Sequence, residues 1–167
     1  MKKKNMKNFP VRINGNEYWV SRSVATVCFI FKHKNNRTFV LIEKRGKGAA
    51  DNIGKWCAPG GYLEYNVTLK ENVALEVLQE TGFVINKKKL KIVGINSAPS
   101  ENHQNVTIRY VYNADENEEF NLSNAVGGEK DEVEDVQWLD ITNNKSKFLN
   151  DDAKWAFKHN ILIKKYS

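Results

Sequence analysis

The chain has 167 residues, 41% hydrophobic and 28% charged. That is the composition of one globular domain with a sizeable core, and it excludes a collagen, a coiled coil or a wholly disordered chain. The formal charge is +6, from 26 basic and 20 acidic residues. Of the basic residues 21 are Lys and only five are Arg (Arg12, Arg22, Arg37, Arg45, Arg109). Lysine lacks the planar fork that reads bases, so the excess charge implies solubility and a general attraction for anions more than nucleic-acid recognition.

The N-terminal MKKKNMKNFP is basic but is followed by no apolar stretch of signal-peptide type. The longest apolar run, Val24 to Phe31, is far too short to span a bilayer, so no membrane partner is expected. Cys28 and Cys57 are too few for a disulfide framework. Two buried free thiols and a cytoplasmic location are expected.

Residues 11–20 (VRINGNEYWV) predict a hairpin, because Asn14-Gly15 is a two-residue turn signal between alternating segments. Residues 23–33 (SVATVCFIFKH) predict a buried strand. Asn35-Asn36 turns the chain, and Thr38–Glu43 predicts the next strand. Gly46–Gly54 reads as a loop, Trp56–Ala58 as a short extended piece, and Pro59-Gly60-Gly61 as its end. Thr68 opens a helix over about 68–81: Thr68 and Glu71 form a capping box, Leu69, Val73, Ala74, Val77 and Leu78 recur at helical spacing, and Gly82 terminates it. Strands follow at 90–95, 106–113 and 136–141. A C-terminal helix is expected from Asp151 or Asp152 to about Ile161. The fold class is α+β. One domain fills residues 1–167, with a tail and hairpin at 1–21 and the core at 22–160.

Within this basic chain residues 60–83 reverse sign: Glu64, Glu71, Glu76 and Glu80 stand against Lys70 alone. Glu76 and Glu80 are four apart, hence neighbours on one helix face, at a cost of roughly 0.2–0.5 kcal/mol. A divalent cation would turn that cost into a gain, since hard cations take carboxylate, carbonyl and phosphate oxygens. The Gly60-Gly61 turn beside the helix exposes backbone that can offer a carbonyl or approach a phosphate closely. A solvated acidic helix face is the plainer alternative.

From Gly61 the sequence GYLEYNVTLKENVALEVLQETGF resembles, without a gap, the Nudix box of the MutT-like hydrolases, G-x5-E-x7-R-E-U-x-E-E-x-G-U. Gly61, Glu76, Val77, Glu80, Gly82 and Phe83 match; Val67, Leu75 and Gln79 replace a Glu, an Arg and a Glu. The preceding WCAPGG (Trp56–Gly61) and the later DVQWL around Trp138 are similar to the family's flanks, so the resemblance spans about residues 22–160. It implies an α/β/α sandwich, with a mixed sheet, a central catalytic helix and a C-terminal helix. It also implies hydrolysis of a nucleoside diphosphate linked to another group, by water attack on phosphorus with Mg²⁺ or Mn²⁺.

Carried over, Glu80 is the first metal ligand, Glu76 the second and the Gly60 carbonyl a third. Gln79 stands where the family has a carboxylate; its amide oxygen can coordinate but brings no charge. Val67 and Leu75 remove a Glu and an Arg together, so neither charge is stranded. Arg45 and the Gly61 backbone are candidate phosphate contacts. Glu129 or Glu132, in an acidic loop, is a candidate further ligand or general base; a solvated loop is the alternative for each. Phe29, Trp19 and Tyr110 could stack on a base or fill the core. His33, His103 and His159 lack metal-ligand spacing.

Three readings stay open at this point. The first is a metal-dependent hydrolase with a nucleotide-derived small-molecule substrate. The second, kept alive by Gln79, is a module of the same fold that holds a nucleotide or RNA without cleaving it. The third is a polyanion binder driven by the Lys clusters, which needs neither Glu76 nor Glu80. RNA binding has no motif in its support. Monomer and homodimer are both open, the hairpin offering strands for a second copy.

Overall fold

The structure, a computed structural model, describes residues 8–99, 105–125 and 131–142. The elements run β1 (Phe9–Ile13), β2 (Asn16–Val20), β3 (Ser23–Lys34), β4 (Arg37–Arg45), β5 (Trp56–Cys57), α1 (Leu69–Thr81), β6 (Lys91–Asn96), β7 (Asn105–Ala114) and β8 (Val133–Asp140). The expected C-terminal helix at 151–161 lies outside the described residues, as do Glu129, His103 and His159. No helix among the described residues is long and apolar enough to cross a membrane.

β1 and β2 form their own antiparallel pair. Its turn places Asn14 at φ 51° and Gly15 at φ 83°, the two positive values that a type I′ hairpin needs. The hairpin stands apart from the main sheet, and Trp19 on it is 66% exposed.

The main sheet is mixed. β3 runs parallel to β7 and antiparallel to β4; β6 borders β7, and β8 pairs with β4. β3 and β4 are paired only from Phe31–Lys34 to Arg37–Val40, and then diverge. β5 enters the gap against Glu43 and Lys44 of β4. The segment after it lies along the first half of β3: Cys28 N–H donates to Pro59 O and Thr26 N–H to Gly61 O, both at 2.9 Å. Residues 56–61 are therefore a filler between two splayed strands, bonded to β4 at Trp56–Cys57 and to β3 at the glycine turn.

Strand alternation sorts the core into two layers. Phe29, Phe31, Val40, Ile42, Val111 and Leu139 fill one face. Cys28, Ile30, Leu41, Tyr110, Tyr112 and Val136 fill the other, where Val73, Val77 and Phe83 meet them. Phe29 and Tyr110 are thus core, each 1% exposed, and neither is free to stack on a base.

Helix α1 forms where its pattern demands. Thr68 caps it in extended conformation and Glu71 closes the box: Thr68 N–H donates to Glu71 Oε2 at 2.9 Å, and Thr68 Oγ1 accepts from Glu71 N–H. Gly82, at φ 68°, supplies the left-handed C-cap, its N–H donating to Leu78 O. Val73 and Val77 are buried to 1% and 0%, each contributing about 1.5–3 kcal/mol. The sequence pattern misjudges the rest of the face. Leu78 is only half-buried, whereas Asn72, Glu80 and Thr81 are fully inside.

Candidate active site

The buried polar side of α1 is where the site assembles. Asn72 fixes the approach: its Nδ2 donates to Thr26 Oγ1 of β3 and its Oδ1 accepts from Glu64 N–H, both at 3.0 Å. Two turns on, Glu80 is 5% exposed and its Oε2 accepts from Gly60 N–H at 2.8 Å. Glu76 lies against the next glycine: a Cβ built on Gly61 would sit 2.5 Å from Glu76 Cδ. Both acids expected from the helix thus point at the Gly60-Gly61 turn, and Glu80 is no solvated surface charge. Pro59 and Gly61 turn their carbonyls to β3, and in extended backbone the residue between them presents its groups to the opposite side. The Gly60 N–H faces α1.

Glycine at this turn is a matter of space. A Cβ on Gly60 would meet Thr26 O at 2.1 Å and Val27 Cα at 2.8 Å. Only a bare backbone fits between β3 and α1.

The strand opposite adds an acid that sequence reasoning missed. Glu43, 1% exposed, lies on the same sheet face as Leu41 and comes within hydrogen-bonding reach of the Glu80 carboxylate. Cys57, paired across from it, donates its thiol to Glu43 Oε1 at 3.4 Å. Cys28 and Cys57 are free and buried as expected, and Cys57 sits beside acids. The clue was there: Glu43 continues the inward register of an apolar strand.

Glu132 is half-buried and adds its field to Glu43, Glu76 and Glu80. Its loop is pinned by Gly46 N–H donating to Glu132 O at 2.6 Å and Gly48 N–H to Asp131 O at 2.8 Å. Gln79 is half-buried, displaced about 100° around the helix from Glu80. Val67 and Leu75, the two apolar replacements, are both half-buried. Arg45 lies at the rim; its Nε donates to Asp51 O at 2.9 Å, and its guanidinium pairs with the Asp51 carboxylate at 3.4 Å.

Crowding acids in a dry place raises their proton affinity. Burial, then the fields of Glu132 and Glu64, push Glu76 up to about 7. Burial likewise pushes Glu43 up to about 7. Glu80, buried and facing Glu43 and Glu76, is held well above the usual carboxylate range despite the Gly60 N–H.

Oxygen donors under mutual repulsion suit a hard divalent cation. The buried Glu43 Oε2, which has no hydrogen-bond partner, fits such a guest as well. Among the described residues no three His, Cys, Asp or Glu side chains enclose an ion by themselves. A cation here would complete its shell with backbone carbonyl, water and substrate phosphate, which is how Mg²⁺ is commonly held.

Of the lysine clusters, only the one at 87–89 lies among the described residues, and its charges are partly paired. Lys87 pairs with Glu71, and Lys89 with Asp115 and Glu118. His33 shares a hydrogen bond with Thr38 at 3.1 Å and lies outside the acidic group.

The chain is similar to several known proteins. An ADP-ribose pyrophosphatase of Methanocaldococcus jannaschii is 29% identical over 116 residues, which are 68% of this chain and 57% of that protein. The chain thus spans a little over half the length of this curated relative. The solved NUDIX domain of Shewanella oneidensis NrtR, complexed with ADP ribose, is similar with a TM-score of 0.62 and 18% identity, over 87% of this chain and 86% of its own. A bifunctional NMN adenylyltransferase/ADP ribose pyrophosphatase of Francisella tularensis, complexed with AMP and a manganese ion, gives 0.60 and 18%, over 88% of this chain and 42% of its own. At such identities the structural likeness is one of fold. The family model described as NUDIX domain matches residues 21–159, from the start of the main sheet past the glycine turn, α1 and β8, and on that match the chain belongs to the NUDIX domain family.

Proposed function

We propose that this chain is a divalent-cation-dependent hydrolase that cleaves a phosphoanhydride of a nucleoside diphosphate linked to another group, with an ADP-ribose-like compound as the first substrate to test. The observation that carries this reading is the convergence of Glu76 and Glu80 on the Gly60-Gly61 turn. A charge pair that repels itself on one helix face is retained, half or fully buried, where a cation and a phosphate could meet it. The relative that cleaves ADP-ribose and the NUDIX domain complexed with ADP ribose support the substrate class.

Glu80, the Gly60 carbonyl and Glu76 would hold Mg²⁺ or Mn²⁺, with the Gln79 amide oxygen as an uncharged further donor. When bound, the cation neutralises the anhydride and acidifies water. The protein's own tasks are positioning and proton removal. Arg45 and the Gly61 backbone are the proposed phosphate contacts. Water adds to one phosphorus as the bridging oxygen leaves with the other phosphate, and the water proton passes to Glu76 or to Glu132. Glu129 remains a candidate from sequence alone.

A second reading has one specific observation in its favour. Gln79 replaces a family carboxylate, which would leave a module that binds a nucleotide and does not cleave it. The deciding experiment incubates the chain with ADP-ribose and a panel of nucleotide anhydrides in Mg²⁺, Mn²⁺ or EDTA, and follows AMP release by chromatography. Metal-dependent release that disappears in Glu80→Gln supports the hydrolase. Nucleotide binding in EDTA with no turnover under any condition supports the module instead.

A further inference from the structure

Glu43 is hard to explain as packing. It lies in β4 with 1% of its surface exposed, in a stretch otherwise made of Val40, Leu41 and Ile42. Its Oε1 takes the weak thiol donor of Cys57. Its Oε2 is buried with no hydrogen-bond donor at all, an arrangement that costs more than the exposed group would. Arg45 faces it only through longer-range attraction, since the guanidinium is turned to Asp51. Besides that thiol, the polar group within reach of the Glu43 carboxyl is another carboxylate, that of Glu80. Two anions facing each other inside a protein need something positive between them.

We propose that Glu43 is a further ligand of the cation site, clasping a divalent ion from the β4 side opposite Glu80 and supplying the anionic charge that Gln79 does not. The inference rests on the metal-dependent reading of the same site. Its physical content is separate: an orphaned, fully buried oxygen on a carboxyl that interacts with a proposed ligand, on a strand that the box motif does not reach. A proton held between the two carboxylates would satisfy the same oxygen, and the experiment tells the two apart.

Mn²⁺ binding to the full chain is measured without substrate, by counting free Mn²⁺ with electron paramagnetic resonance, for wild type, Glu43→Gln, Glu43→Asp and Glu80→Gln. Loss of a cooperating ligand should weaken the Mn²⁺ constant of Glu43→Gln by roughly 10–100-fold. The rise in melting temperature on adding Mn²⁺ should shrink in parallel. Glu43→Asp, which keeps the charge but draws it back, should fall between. An unchanged Mn²⁺ constant in Glu43→Gln overturns the proposal and leaves the shared proton. Absence of Mn²⁺ binding by wild type at millimolar concentration overturns it as well. If Glu43→Gln does not fold, Glu43→Asp decides: a weakened constant supports the ligand, an unchanged one overturns it. The two readings fail separately. Glu43-dependent Mn²⁺ binding without turnover would sink the hydrolase and keep this site, whereas turnover with Mn²⁺ affinity indifferent to Glu43 would do the reverse.

Discussion

Two adjacent glycines should respond to the same substitution in opposite ways. In Gly60→Ala the new methyl carbon would stand 2.1 Å from Thr26 O and 2.8 Å from Val27 Cα. Both obstacles are backbone of a central strand, so the turn must retreat from β3. Three hydrogen bonds depend on its position: Thr26 N–H to Gly61 O, Cys28 N–H to Pro59 O, and Gly60 N–H to Glu80 Oε2. At about 1 kcal/mol net for each, the cost is about 3 kcal/mol. For a chain of this size that lowers the melting temperature by roughly 6–12 °C. In Gly61→Ala the methyl first meets the Glu76 carboxylate, 2.5 Å away at Cδ. A side-chain end can swing aside, so stability should fall by less than about 1 kcal/mol. Turnover should suffer far more, on the order of 100-fold for a group displaced by an ångström. Calorimetric melting with a turnover assay measures both. The reasoning is refuted if Gly60→Ala melts within about 2 °C of wild type, or if Gly61→Ala loses as much stability as Gly60→Ala.

Other consequences can be checked at the bench. Asn72→Ala leaves Glu64 N–H and Thr26 Oγ1 without their buried partner; a loss of about 2–3 kcal/mol should appear in urea as a lower midpoint with an unchanged slope. Glu71 is held down to about 2, first by the Thr68 backbone and side-chain hydrogen bonds and then by Lys87. A depressed carboxylate stabilises the fold above its unfolded pKa, and that contribution is lost as pH falls through the folded value. The melting temperature should therefore drop between about pH 4.5 and 2, more steeply in wild type than in Glu71→Gln. For Glu43, raised to about 7 by burial, the sign reverses. The metal-free protein should lose stability as pH climbs from about 4.5 to 7, and Glu43→Gln should flatten that decline.

The helix was the most legible part of the sequence. Thr68, Glu71 and Gly82 act within a few residues of themselves, so their patterns survive any tertiary context. The hairpin at Asn14-Gly15 is readable for the same reason. Glu76 and Glu80 could be paired by spacing, and the glycine turn placed beside them by the family motif. What the sequence hides is whatever depends on which strand lies opposite. Glu43 reads as the polar end of a strand until β5 and α1 close over it. Asn72 carries no local signal of its buried place until β3 supplies Thr26. Cys57 reads as a buried free thiol, and only the fold puts Glu43 across from it. Leu78 errs the other way, an apolar residue in helical phase that the sheet does not cover. Each miss involves partners between 14 and 46 residues apart in the chain for the acid, thiol and amide contacts, beyond the reach of local periodicity.

The Gly60 N–H gives its hydrogen to a carboxylate of a different element, not to a neighbouring strand. Its nuclear resonance is therefore set by the electron density on one oxygen of Glu80. Anything that draws on that oxygen shifts that backbone peak, with no substrate and no turnover required. The same hydrogen exchanges with solvent only when turn and helix part, so its exchange rate counts how often the centre of the molecule breathes. A turn shaped to admit no side chain thereby carries its own spectroscopic gauge.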